Sequence, residues 1–324
     1  MKHQVTSHLR IAPLKELWTG RASSSKDQYW HEQIKLIEEL KELNALDVAL
    51  IGYACDSGVK RNQGRIGAAN APNVIKQQLA KLPWHAKETR VADLGSITDK
   101  NADMEQAQEQ LAKMVSLMLQ NNSLPISIGG GHDIAYASYC GIRDALDKTS
   151  PKRLGVINFD AHFDLRPIVD RPNSGTPFLQ ILNDENNHVH TNYLAIGIQQ
   201  QSNTRELFEI AKAHQVSFVK SEECLVNKRN FDQIVTQLQQ FIAQSDHVNI
   251  SIDMDGFSSA YAPGVSAPSP LGFSPDFFFA VLGKIIRSTK MIAVDIAETN
   301  PSYDIDNCTS KLAARIIDFI VTNQ

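Results

Sequence analysis

Residues 154–164 read Leu154-Gly155-Val156-Ile157-Asn158-Phe159-Asp160-Ala161-His162-Phe163-Asp164. A short apolar, β-branched run ends abruptly in acid and imidazole side chains at alternate positions. That is the signature of a buried strand whose exit carries polar groups. Working outward, the same pattern recurs. Pro125–Ile128 runs into Gly129-Gly130-Gly131-His132-Asp133, Val248–Ile252 into Asp253-Met254-Asp255, and Met291–Val294 into Asp295-Ile296-Ala297-Glu298. Further runs at Asp47–Gly52, Arg90–Leu94, Tyr193–Ile198 and Val216–Val219 bring the strands to eight. Stretches of helical periodicity separate most of them: Asn73–Lys81, Met104–Gln120, Ala135–Leu146, Arg205–His214, Phe231–Ala243 and Pro275–Arg287, with Ser310–Val321 last. Such alternation predicts an α/β fold with a mainly parallel sheet covered by helices, as a barrel or an open sheet. In both, function gathers where strands end and loops begin.

Composition narrows the class. The 324 residues carry 32 basic and 36 acidic side chains, a net charge of −4, with 42% hydrophobic and 21% charged residues. This argues against a nucleic-acid partner, which calls for a basic excess, and against a disordered chain. The most apolar stretch, Phe277–Gly283, is far short of the ~20 residues that span a membrane. The start, MKHQVTSHLRIAPLKELW, has no apolar core of signal-peptide length. Cys55, Cys140, Cys224 and Cys308 are widely scattered, which reads as four reduced thiols in a cytoplasmic protein. Apolar positions Ile34, Leu36, Ile37, Leu40 and Leu43 among charges predict a helical N-terminal arm over residues 1–44, covering one face of a single α/β domain at 45–324.

Four strand exits of a parallel sheet lie on one edge, so their side chains can converge. Asp160, His162 and Asp164 alternate, as do Asp253 and Asp255, and alternate residues of an extended chain share a side. With His132 they make four carboxylates and two imidazoles. Four carboxylates alone would repel and raise one another's pKa; two divalent cations cancel them. Carboxylate and imidazole donors without a thiolate suit manganese, and two ions ~3.5–4 Å apart are the arrangement of binuclear hydrolases. Asp133 reads as the N-cap of the next helix. The chain lacks GxSxG, HExxH, GxxxxGK[ST] and GxGxxG.

GGGHD (129–133), NFDAHFDLR (158–166), SIDMDGF (251–257) followed by APG (262–264), and DIAETNP (295–301) resemble, in order, the signatures of the arginase–agmatinase–formiminoglutamase group. The resemblance runs from about Gly52 to the C-terminus. It implies a three-layer α/β/α sandwich with an eight-stranded, mostly parallel sheet, which decides against the barrel. It also implies two Mn2+ per subunit: His132 and Asp164 on one ion, His162 and Asp255 on the other, Asp160 and Asp253 bridging. Glu298 would receive a cationic amidine. Asp164 is also the candidate proton relay.

Within the group, three features resemble the formiminoglutamase branch. They are the 58–69 segment GVKRNQGRIGAA, the Asn173-Ser174-Gly175-Thr176-Pro177 segment where arginases and agmatinases carry a shuttle histidine, and Ser258-Ser259 in place of Asp-Pro. The resemblance implies hydrolysis of N-formimino-L-glutamate to L-glutamate and formamide, a step of histidine metabolism. The alternative is another amidinohydrolase acting on arginine, agmatine or a guanidino acid. A dicarboxylate needs cationic forks, so Arg61, Arg65 and Arg166 are candidate substrate-binding residues, with Asn62, Asn173 and Ser174 as hydrogen-bonding neighbours. The partners implied are the small-molecule substrate and further copies of the chain in a homo-oligomer.

Overall fold

Val48–Ala54, the first long apolar run, forms a central strand of a single open sheet. The computed structural model describes residues 9–22, 25–86, 88–99, 103–146, 148–185, 188–224 and 228–324. Among these the strands are β1 (Arg10–Ile11), β2 (Lys35–Leu36), β3 (Val48–Ala54), β4 (Val91–Thr98), β5 (Leu124–Ile128), β6 (Lys152–Phe159), β7 (Val189–Ile198), β8 (Ser217–Lys220), β9 (His247–Asp253) and β10 (Met291–Ala297). Across the sheet the order is β1-β4-β3-β5-β10-β9-β6-β7-β8, with β2 also on β4. All pairings are parallel except β1 with β4. The sheet is open, as the resemblance implied, and has ten strands. Eight of them, β3 to β10, are those read from the sequence.

The helices are α1 (Trp30–Gln33), α2 (Ser57–Arg61), α3 (Ala71–Leu79), α4 (Met104–Gln120), α5 (Ile134–Ala145), α6 (Pro177–Leu182), α7 (Arg205–Ala213), α8 (Lys228–Ala243), α9 (Pro275–Ile286) and α10 (Cys308–Thr322). Strand residues alternate between two cores. Val48, Leu50, Ile126, Ile128, Ile250 and Ile252 join α3, α8, α9 and α10 on one face. Ala49, Ile51, Tyr53, Val156 and Ala195 join α4, α5, α6 and α7 on the other. This period-2 division, buried on both sides, is why the strands read as continuous apolar runs.

The extra two strands correct the reading of the N-terminal segment as a helical arm. Asp27–Leu43 holds one helical turn, α1, then β2 and a 3-10 turn at Leu40–Glu42. The open edge of β4 presents unpaired backbone groups, and covering them outweighs a weak local helical period. Arg10 fastens the cover, its guanidinium donating to the carbonyls of Leu94, Ile37 and Glu38 at 2.8, 2.5 and 2.9 Å. Trp18 Nε1 donates to Asp93 Oδ2 (2.9 Å), and Trp30 Nε1 to Asp318 on α10 (2.7 Å). Asp93 also pairs with Lys76 of α3 at 2.6 Å, both side chains fully buried. Residues 1–8 and 23–24 of the expected arm lie outside the described residues.

One topological feature positions the site. The chain passes from β5 to β6 across the space that β10 and β9 later fill, so β5, β10, β9 and β6 are neighbours in the middle of the sheet. Their C-terminal ends open on one edge where strand order reverses, the place where open α/β sheets bind ligands.

Candidate metal centre

The glycine run after β5 is dictated by crowding. Gly129 and Gly130 adopt φ +89° and +76°. A Cβ on Gly130 would sit 2.6 Å from the Cys55 carbonyl oxygen and the Tyr53 ring. This tight turn delivers His132 to the edge, 1% exposed. Asp160 follows β6, Asp253 ends β9, and both are buried. Glu298 leaves β10 at φ +63°, donating its N–H to the Gly130 carbonyl (2.9 Å). Its Oε1 accepts from the His132 backbone N–H (2.9 Å).

Six predicted residues converge. His132, Asp160, Asp164 and Asp253 bring four donor atoms within 4.8 Å of one another, and Asp160, His162 and Asp255 form a second such group. His132 Nδ1 lies 3.1, 2.9 and 3.1 Å from carboxylate oxygens of Asp160, Asp164 and Asp253. His162 Nδ1 lies 3.3 Å from oxygens of both Asp160 and Asp255. Asp160 is common to both groups. Asp253, expected to bridge, falls in the first group, and its Oδ1 accepts from the Asp255 N–H (2.7 Å).

The charges do not balance among these residues alone. Burial pushes Asp253, Asp164 and Asp255 up, and neighbouring carboxylates add to it. Asp160 is held below the usual carboxylate range, because the two imidazoles outweigh its burial. Both imidazoles, although burial opposes their charge, are raised well above the usual histidine range by the carboxylates. Glu298 is pushed up to about 8, by burial and then by Asp255. His132 Nδ1, Asp255 Oδ1 and Glu298 Oε2 are buried without a hydrogen-bond partner. Orphaned atoms of this kind are costly and call for a ligand. Donors of carboxylate and imidazole type, converging as two groups that share a carboxylate, fit two divalent cations.

A second ring of hydrogen bonds holds the donors. Asn158 Nδ2 donates to Asp160 Oδ2 and to Tyr193 Oη, both at 3.0 Å, and Tyr193 Oη donates to the Phe163 carbonyl (3.0 Å). Asn203 accepts from the Phe163 N–H (2.9 Å) and donates to the Ala161 carbonyl (2.9 Å), clamping both sides of His162. Asn203 and Ser202 also line the pocket. They follow β7, one more strand exit on the same edge, which was the available signal. Behind His132, Ser251 and Asp295 form a further pair, with Ser251 Oγ donating to Asp295.

The cavity over the centre is about 310 Å³ and is lined by His162, Asp164, Asp253, Asp255 and Glu298 at its acidic end. Asn62, Arg65, Arg166 and Ser174, expected at the substrate, line it too. Arg166 is exposed, and its guanidinium makes no hydrogen bond or ion pair among the described residues. Arg65 is half-committed: its Nε and Nη2 donate to the carbonyls of Ser266 (3.0 Å) and Val265 (2.5 Å), and its guanidinium lies 4.1 Å over the Tyr303 ring.

Two expected substrate residues are not at the cavity. Arg61 donates to both Glu105 oxygens (2.8 and 2.9 Å) and to the Pro172 carbonyl (3.0 Å), so its fork is already filled. Asn173 is spent on a turn, its Oδ1 accepting from the Gly175 N–H (2.9 Å). Asp133 does not cap α5 through its side chain; its Oδ2 accepts from Tyr53 Oη (2.7 Å).

Comparison with known proteins places this geometry. The profile of the arginase family matches residues 46–322. A formimidoylglutamase of Geobacillus thermodenitrificans is 41% identical over 308 residues, 93% of this chain and 94% of the relative. One of Vibrio vulnificus is 42% identical over 284 residues, 84% and 83% of the two chains. The crystal structure of Trypanosoma cruzi formiminoglutamase with Mn2+2 superposes with a TM-score of 0.78 at 24% identity, covering 92% of this chain and 98% of that one.

Proposed function

The chain belongs to the arginase family, and from that premise we propose that it is a binuclear manganese hydrolase cleaving N-formimino-L-glutamate with water to L-glutamate and formamide. One observation carries the choice of substrate. A single cavity joins a buried acidic centre and the orphaned Glu298 Oε2 to an exposed, unpaired Arg166. A cationic amidine at one end of a dicarboxylate matches that polarity, whereas agmatine has no carboxylate for the arginine. Relatives named formimidoylglutamase, about 40% identical over most of the chain, support the same reading.

His132, Asp160, Asp164 and Asp253 would hold one Mn2+, and Asp160, His162 and Asp255 the other. When bound, the metals supply a water acidified to near neutrality and a sink for developing negative charge. Glu298, fixed through Oε1 by the His132 N–H, turns Oε2 to the amidinium and orients the formimino carbon. Arg166 and the free edge of Arg65 take the substrate carboxylates, with Asn62 and Ser174 beside them. Asp164, both a donor to the centre and part of the cavity lining, carries the proton to the departing glutamate nitrogen. The four free cysteines support a cytoplasmic location. A homo-oligomer is proposed with it, supported by apolar side chains left exposed at Ile66 (56%) and Ile305 (66%); sedimentation velocity tests it.

Asp160→Asn and Asp253→Asn test the centre. By elemental analysis Asp160→Asn should lose both ions and Asp253→Asn the ion of the first group, and each should lose turnover with the metal. Full activity in a variant shown to be metal-free would sink the reading.

A further inference from the structure

The two imidazoles of the centre are held differently. His162 Nε2 has no hydrogen-bond partner among the described residues, and a quarter of its side chain is exposed. His132 is enclosed, its ring edge-on to Phe178 at 5.2 Å, and Phe178 in turn stacks on Tyr193 at 4.5 Å. Its Nε2 lies 2.9 Å from Ser251 Oγ. Ser251 Oγ donates to Asp295 Oδ1, and Asn249 Nδ2 lies 3.3 Å from Asp295 Oδ2. Ser251 and Asp295 are register partners on β9 and β10, and both are fully buried. Neither lines the cavity.

This chain has a direction. A Ser251 hydroxyl that donates to Asp295 presents only lone pairs to His132, so Nε2 must carry the proton. The other ring nitrogen, Nδ1, is then the one left to bind a cation, and it is the atom facing Asp160, Asp164 and Asp253. We propose that Ser251 and Asp295 act as one positioning unit that fixes the His132 tautomer and ring plane, and so makes the first of the two cation sites. The proposal rests on the metal-centre reading above. Outer partners of this kind hold a ligating imidazole and tune its basicity, and losing one costs ~10–100-fold in metal affinity. Among the six donor residues the unit is hydrogen-bonded to His132 alone, and the second group does not contain His132, so the second site should keep its affinity.

The test is manganese titration of the full chain by calorimetry, with electron paramagnetic resonance at matched loading, for wild type, Ser251→Ala, Asp295→Asn and the double variant. Wild type should bind two ions with an exchange-coupled signal. Each single variant should weaken one binding event ~10–100-fold, keep the other, and show a six-line mononuclear signal at loadings where wild type is coupled. The double variant should lose no more than the worse single one, as expected of residues acting as a unit. Asp295→Asn keeps the side chain's shape and serves if Ser251→Ala does not fold. Two ions bound with wild-type affinity in both variants, or both sites weakened equally, would overturn the proposal while leaving the centre intact. A wild-type chain that binds fewer than two ions would instead overturn the centre itself.

Discussion

Asp160 is the residue on which both donor groups depend, and substitutions around it should separate them. Asp255→Asn removes a donor from the second group only. It should leave one manganese bound, where Asp160→Asn leaves none; elemental analysis distinguishes the two. Glu298→Gln should keep both ions, because Glu298 belongs to neither group, yet lower kcat by ~10²–10³-fold, the usual loss when a preorganised electrostatic contact to the reacting group is removed. Loss of metal together with activity would show that Glu298 holds the centre and does not orient the substrate. Residues at strand exits were legible because alternation and exit position are written in the sequence. Ser251 alternates with Asp253 just as Asp253 does with Asp255. Its role was illegible because it depends on Asp295 across a strand pairing that no local pattern reveals. Arg61 shows the complementary limit: a sequence displays a charge but not its partner, and Glu105 lies 44 residues away.

At the scale of elements, the four middle strands carry the site and two peripheral ties hold its surroundings. Glu105 links α4 to α2 through Arg61 and to the loop after β6 through Arg171 (2.8 Å). Hydrogen bonds from Arg61 hold its carboxyl down to about 2. A carboxyl depressed in the folded chain stabilises it above the unfolded value near 4.3 and loses that contribution as pH falls towards 2. Glu105→Gln should therefore destabilise by no more than about 1 kcal/mol at pH 7, the pair being partly exposed. The difference in melting temperature from wild type should close between about pH 4.5 and 2; a constant offset down to pH 2 would contradict the link. The Lys76–Asp93 pair beneath the edge strands is fully buried. Lys76→Met strands a carboxylate and should cost ~3–5 kcal/mol in denaturant unfolding. The eight main strands were legible as apolar runs. The two edge strands were not, because a two-residue strand is made by the vacant edge of β4 rather than by its own residues.

For the whole molecule, the centre links catalysis to stability. Metal removal leaves four carboxylates sharing buried space, so chelation should lower the melting temperature. Free manganese at 100 times its dissociation constant contributes about 2.7 kcal/mol per site, several degrees for a chain of this size. Manganese should restore the loss. An unchanged melting temperature in a chain shown to have lost its ions would separate the centre from the fold. The net charge of −4 describes the metal-free chain, and the cavity's own polarity rather than that total decides what binds. The most direct measurement supplies the manganese-loaded chain with N-formimino-L-glutamate, L-arginine and agmatine in parallel. Equimolar glutamate and formamide from the first alone, abolished by chelation and restored by manganese, is the expected result. Urea from arginine or agmatine at a higher kcat/KM, or undiminished turnover without metal, would contradict it.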